Sequence, residues 1–157
     1  DQVQVAYQAG ELNKDCVIVV KFQGPKANGM PELHKLMPVL ANLQDAGFSV
    51  ALLTDGRLSG ASGKVPAVLH ICPEALLGGP IDEICEGDII EIDAHKGLVK
   101  YHGALDKTKQ PNKSEKTEEQ TEESRGSGLG LGRELFSVFR ANVTPADQGA
   151  LSLDWAE

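Results

Sequence analysis

Thirteen residues, Thr54 to Pro66 (TDGRLSGASGKVP), concentrate the side chains best suited to chemistry: the hydroxyls of Ser59 and Ser62, the ammonium of Lys64, and three glycines, Gly56, Gly60 and Gly63. A serine hydroxyl is a poor base on its own and becomes one only where nearby positive charge or aimed donors lower its pKa. Glycines admit positive φ and allow backbone N–H groups to approach a ligand closely. Composition alone divides evenly between such a site and an ordinary Gly/Ser turn. Arg57, in the same stretch, reads equally as a ligand-holding cation and as a structural ion-pair partner of Asp55.

Other candidates are scattered. Glu32 falls at the start of a helical pattern, where the helix dipole favours a carboxylate, so a helix-end charge is the first reading of it. Lys26, between the turn dipeptides Gly24-Pro25 and Asn28-Gly29, either solvates its loop or reaches toward an anion. His70 lies on an apolar stretch, where a packed histidine is commoner than a ligand. Glu86, Asp88, Glu91 and Asp93 form an acidic cluster best read as a solvated face. Cys16, Cys72 and Cys85 are odd in number, without CxxC or Cys/His ligand spacing, and read as buried small hydrophobes.

These residues need elements to hold them. CVIVVKF at 16–22 is a β-branched apolar run typical of a strand covered on both faces, and GFSVALLTD at 47–55 marks a second. Between them Leu33, Leu36, Met37, Leu40 and Leu43 follow helical spacing, with Pro31 suited to the first turn, Gly47 to the stop, and Pro38 expected to kink the helix or divide it. Strand, helix, strand predicts a parallel βαβ unit with a right-handed crossover, in an α/β domain. Ligands in such units sit at the carboxyl ends of the strands, where the loops 23–31 and 54–63 would meet, with Glu32 between them.

The flanking chain is less definite. Val3, Val5 and Tyr7 alternate as in a short strand that Gly10 ends. Residues 65–79 allow a short helix or strand, limited by Pro66 and Pro73. IIEID and LVKYH, with turns at Gly87-Asp88 and Lys96-Gly97, predict a β-meander with one wet face. Residues 106–128 contain no apolar side chain and predict a mobile surface linker. Leu135, Phe136, Val138 and Phe139 then recur at helical spacing, predicting a helix that docks on the sheet, and Pro145 marks a turn with at most one helical turn beside it.

At 157 residues and 41% apolar content, one domain with one core is expected. A formal charge of −8 disfavours a nucleic-acid surface. No apolar run approaches the length of a bilayer span, and the N-terminus lacks a basic-then-apolar leader pattern, so a cytoplasmic protein without a membrane partner is expected.

VVKFQGPKANGMPEL, SVALLTDGRLSGASGKVPAVLHICPEALLGGPIDEICEGDIIEID and LGRELFSVFRANVTPADQGA together resemble the C-terminal domain of the dihydroxyacid dehydratase and 6-phosphogluconate dehydratase family. The likeness covers about residues 16–150 apart from the charged linker, and the SGASGKVP form and the ELF…ADQGA tail point to the phosphogluconate branch. It implies that residues 1–157 form a swivelling β/β/α domain, in which a barrel-like mixed β-sheet carries flanking helices.

The chemistry it implies is removal of a proton from C2 and of hydroxide from C3 of a sugar acid. For 6-phospho-D-gluconate the product is 2-dehydro-3-deoxy-6-phosphogluconate, in the Entner-Doudoroff pathway. An iron–sulfur cluster, whose ligands belong to an N-terminal domain and match none of the three cysteines here, and a divalent metal such as Mg2+ act as Lewis acids. Carried over residue by residue, the resemblance makes Ser59 the base, acting as an alkoxide, and Glu32 a metal ligand. Gly60, Ser62 and Lys64 become candidates for holding substrate carboxylate or phosphate. The implied partners are the N-terminal catalytic domain, the sugar-acid phosphate and, at full length, a second subunit in a homodimer. The chain by itself would be inactive; a non-catalytic swivelling module and a dehydratase for another sugar acid are the competing readings.

Overall fold

The computed structural model describes residues 2–59, 63–104 and 134–153. Its centre is a three-stranded parallel sheet of β1 (Cys16–Val20), β2 (Val50–Thr54) and β3 (Ala67–Val68), in the order β1-β2-β3. Cys16 pairs with Val50 and Val20 with Thr54, so the two long strands run in register and the loops after them leave from one edge. The parallel βαβ expectation is met.

Side-chain alternation along these strands divides the interior in two. Ile18, Val50 and Leu52 face α3 (Met37–Asp45), which contributes Met37, Val39, Leu40 and Leu43; Leu40 and Leu52 are fully buried. Leu53, with Val17 and Val19, faces Ala75 and Ile81 on the other side. Ile81 belongs to α4 (Pro80–Glu83). Pro38 divides the pattern, one of its two expected effects, and does not kink α3. It sits in the first turn, where no N–H is needed, and a 3-10 turn at His34–Leu36 precedes it. The pattern is thus divided, and Glu32 and Pro31 fall before the helix rather than in its first turn.

β4 (Asp88–Asp93) and β5 (Leu98–Ala104) form the expected antiparallel pair, and Ile90 and Ile92 pack against the Leu53 cluster while Glu91 faces out. Alternation along β4 is unbroken, so Ile89 is exposed on the same face as Glu91; a bulge between Ile89 and Ile90 places the extra residue on β5, between Tyr101 and Gly103, with Gly103 at φ 73. The two sheets remain separate, so among the described residues there is no closed barrel. Closure requires continuous strand pairing, and β3 is only two residues long, limited by Pro66 before it.

Three further expectations change. Residues 2–8 form a helix, α1 (Gln2–Gln8), because Val3 and Tyr7, four apart, share one face and pack on the core, a spacing that the Val3-Val5-Tyr7 alternation also contains. The ELFSVFR segment forms a helix, α5 (Ser137–Asn142), but it lies against α2 (Pro25–Asn28) rather than on the sheet, and Leu135, Phe136, Val138 and Phe139 stay exposed. Cys16 and Cys72 are half-buried and Cys85 is exposed, all three as free thiols. The 106–128 linker lies outside the described residues.

Candidate active site

The parallel register carries the post-β1 and post-β2 loops to the same edge, and two buried carboxylates fix them there. Asp55, directly after β2, is fully buried. Its Oδ1 accepts the Gln23 N–H at 2.8 Å; its Oδ2 accepts those of Phe22 at 3.2 Å and Ala75 at 2.9 Å. Glu74, 4% exposed, accepts the N–H groups of Lys26 at 3.1 Å and Ala27 at 3.0 Å, and burial pushes its carboxyl above the usual range. Gly56 is required by close approach, since a Cβ there would stand 2.6 Å from the Gln23 Cβ.

On this base the chain after α2 runs beside the chain after β2, and Glu32 bridges Arg57 as an isolated parallel pair. The Ser59 hydroxyl donates to Glu32 Oε2 at 2.5 Å, and the Ser59 N–H reaches Oε1 at 3.0 Å and Oε2 at 3.2 Å. The His34 N–H donates to Oε1 at 3.0 Å. Arg57 Nε donates to the Met30 carbonyl at 2.7 Å, and its Nη1 lies 3.3 Å from Glu32 Oε2. The Ser59 hydroxyl is the largest cause of the lowered Glu32 pKa, followed by the Ser59 N–H; the His34 N–H and the Arg57 charge act in the same direction.

Ser59 and Glu32, 27 residues apart in the chain, are therefore in direct contact. Lys64 is placed elsewhere, its Nζ 2.6 Å from Asp45 Oδ1 at the end of α3. Gly60 and Ser62 lie outside the described residues. Arg57 pairs with Glu32 and not with Asp55, because Asp55 turns inward to backbone donors while Arg57 turns out. His70 is exposed with φ 57, its backbone N–H bonded to the Gly56 carbonyl, so it is not a packed core histidine. In the acidic cluster, Asp88 accepts from the Cys85 N–H and the Tyr101 hydroxyl, which pushes the Tyr101 pKa up to about 12.

Among the described residues, no three His, Cys, Asp or Glu side chains come together as a metal site. Glu32 is a hard oxygen donor on an accessible loop and suits a divalent cation such as Mg2+, as one ligand among others supplied from elsewhere. The three cysteines do not suit an iron–sulfur cluster: Cys16 is on β1, Cys72 follows β3 and Cys85 follows α4.

The roles of Asp55 and Glu74 escaped sequence reading. A carboxylate directly after the apolar run SVALLT was the available signal for Asp55, but the N–H groups it accepts are 20 to 33 residues distant and carry no spacing pattern.

The fold and site define an α/β domain whose strand-end loops press a serine hydroxyl against a carboxylate. The chain belongs to the dihydroxy-acid/6-phosphogluconate dehydratase C-terminal family, whose model matches residues 1–150. It is 50% identical over 153 residues to the phosphogluconate dehydratase of Zymomonas mobilis, covering 98% of this chain and 24% of that protein. Against the phosphogluconate dehydratase of Rhizobium meliloti it is 51% identical over 150 residues, covering 94% and 23%. The dihydroxy-acid dehydratase of Pyrobaculum calidifontis is 38% identical over 148 residues, covering 94% and 24%. The chain thus spans about a quarter of the length of these curated relatives.

Proposed function

We propose that this chain supplies the base and one metal-ligating carboxylate to a 6-phosphogluconate dehydratase, whose remaining machinery comes from an N-terminal domain of the same protein. The observation that carries this is the Ser59–Glu32 contact, braced by Arg57. Ser59, as an alkoxide, takes the proton from C2; the C2–H electrons form the C2–C3 double bond as hydroxide leaves C3, and the resulting enol tautomerises to the 2-keto-3-deoxy acid. Unaided, Glu32 is a weak acceptor for the serine proton, because its pKa is already lowered. A divalent cation held by Glu32 and by ligands of the other domain would supply the positive charge that favours a serine alkoxide and a departing hydroxide. Glu32 fixes where the hydroxyl points, and Arg57 fixes Glu32.

Identity to phosphogluconate dehydratases near 50%, against 38% to the dihydroxy-acid enzyme, supports the phosphorylated substrate. The protein in this reading is cytoplasmic and dimeric at full length. In the full-length enzyme Ser59→Ala is expected to lower kcat by about 10²–10⁴-fold, the usual contribution of a positioned acid–base group. Near-normal turnover would return the chain to a non-catalytic assembly module. Turnover of 2,3-dihydroxyisovalerate but not 6-phosphogluconate would move it to the dihydroxy-acid branch.

A further inference from the structure

A groove of about 640 Å³ separates α2 from α5, and its lining includes Met30 and Pro31, the two residues before Glu32. Neither Glu32 nor Ser59 lines it, so it adjoins the candidate active site without containing it. Its walls are mainly apolar, with Phe136, Phe139 and Val143 on the α5 side. Arg140 is the one charged residue among the described lining residues. It is half-buried, and the ion pairs among the described residues all lie elsewhere. A cation in the last turn of a helix is favoured by the dipole whatever its role, so position on α5 alone implies no ligand. Its place on an apolar groove next to the Glu32 loop does.

We propose that Arg140 binds the phosphoryl group of the substrate. This inference rests on the function proposed above. In 6-phosphogluconate the reacting C2 and C3 lie near the carboxylate, and the phosphate is carried on C6, three carbons beyond C3. Ser59 and Glu32 mark the reacting end, and the groove opens next to them past Pro31. A guanidinium presents parallel N–H donors that match phosphate oxygens in pairs. The Ser152 hydroxyl, in the same lining, adds a neutral donor.

The test uses the full-length, metal- and cluster-loaded enzyme with 6-phosphogluconate as substrate and inorganic phosphate and gluconate as competitive inhibitors. Arg140→Gln is expected to raise KM for 6-phosphogluconate and Ki for inorganic phosphate, each roughly 10- to 100-fold, as for loss of a charge-assisted hydrogen bond. Ki for gluconate, which lacks the phosphate, stays unchanged. Arg140→Lys keeps the charge without the fork and raises both phosphate-dependent constants several-fold; it carries the test if the Gln variant does not fold. Wild-type turnover of 6-phosphogluconate with unchanged constants in a folded variant overturns the inference alone, as does an equal weakening of gluconate. A wild-type enzyme that dehydrates 2,3-dihydroxyisovalerate and ignores 6-phosphogluconate overturns the proposed function, and this inference falls with it.

Discussion

Glu32 holds four donors at once: the Ser59 hydroxyl and N–H, the His34 N–H and the Arg57 guanidinium. All four favour its ionised form, which places the folded pKa below the ordinary value of 4.5. Between those two values the unfolded chain binds more protons, so stability rises with pH there. The contribution of the Glu32 contacts is fully present above about pH 4.5 and is lost as pH falls through the lower, folded value. Amide hydrogen exchange at Ser59 and His34 should therefore keep its protection at pH 5 and lose it on further acidification, and Glu32→Gln should remove that pH dependence. Protection that survives well into the acid range in the wild type would show that other contacts hold the loop. The Gly/Ser stretch singled out Ser59 and the βαβ order brought its loop to Glu32, but only the resemblance gave Glu32 a role, since periodicity alone made it a helix-end charge. Arg57 was assigned to the wrong carboxylate as often as to a ligand, because proximity in the chain says little where a strand ends and successive residues part to opposite sides.

At the level of elements, the two long strands and α3 were readable because their apolar spacing reports burial directly, and the structure buries those same residues. The meander was readable for the same reason. What spacing could not supply is the pairing of loops. α1 contained both a strand and a helix pattern, and packing of Val3 and Tyr7 on the core chose the helix. Barrel closure, implied by resemblance, had no counterpart in the strand lengths. The loops are tied instead by Asp55, whose two oxygens accept three N–H groups from two other segments. Asp55→Asn replaces one oxygen by a donor facing donors, which leaves at least one buried N–H unpaired at a cost of roughly 1–3 kcal/mol each. The expected result is a lower Tm by that equivalent; an unchanged Tm would mean that a bound water pairs the N–H the amide cannot accept.

Taken whole, the chain is about a quarter of the length of its curated relatives, and among its described residues no three His, Cys, Asp or Glu side chains come together as a metal site. The expected outcome for the separately produced 157-residue chain is no detectable conversion of 6-phosphogluconate, with product measured as the 2-keto-3-deoxy acid, under conditions where the full-length enzyme turns over. Measurable conversion by the chain alone would show that its own residues complete the site. The buried Asp55 has a further consequence for anyone mapping this protein by random mutagenesis. Under the proposed function, a screen scored only on growth or product will return Asp55 beside Ser59, although Asp55 is fully buried on backbone donors. The two will separate on protein abundance: Ser59 substitutions should accumulate to normal levels as inert protein, while Asp55 substitutions should be depleted by proteolysis before activity is ever sampled.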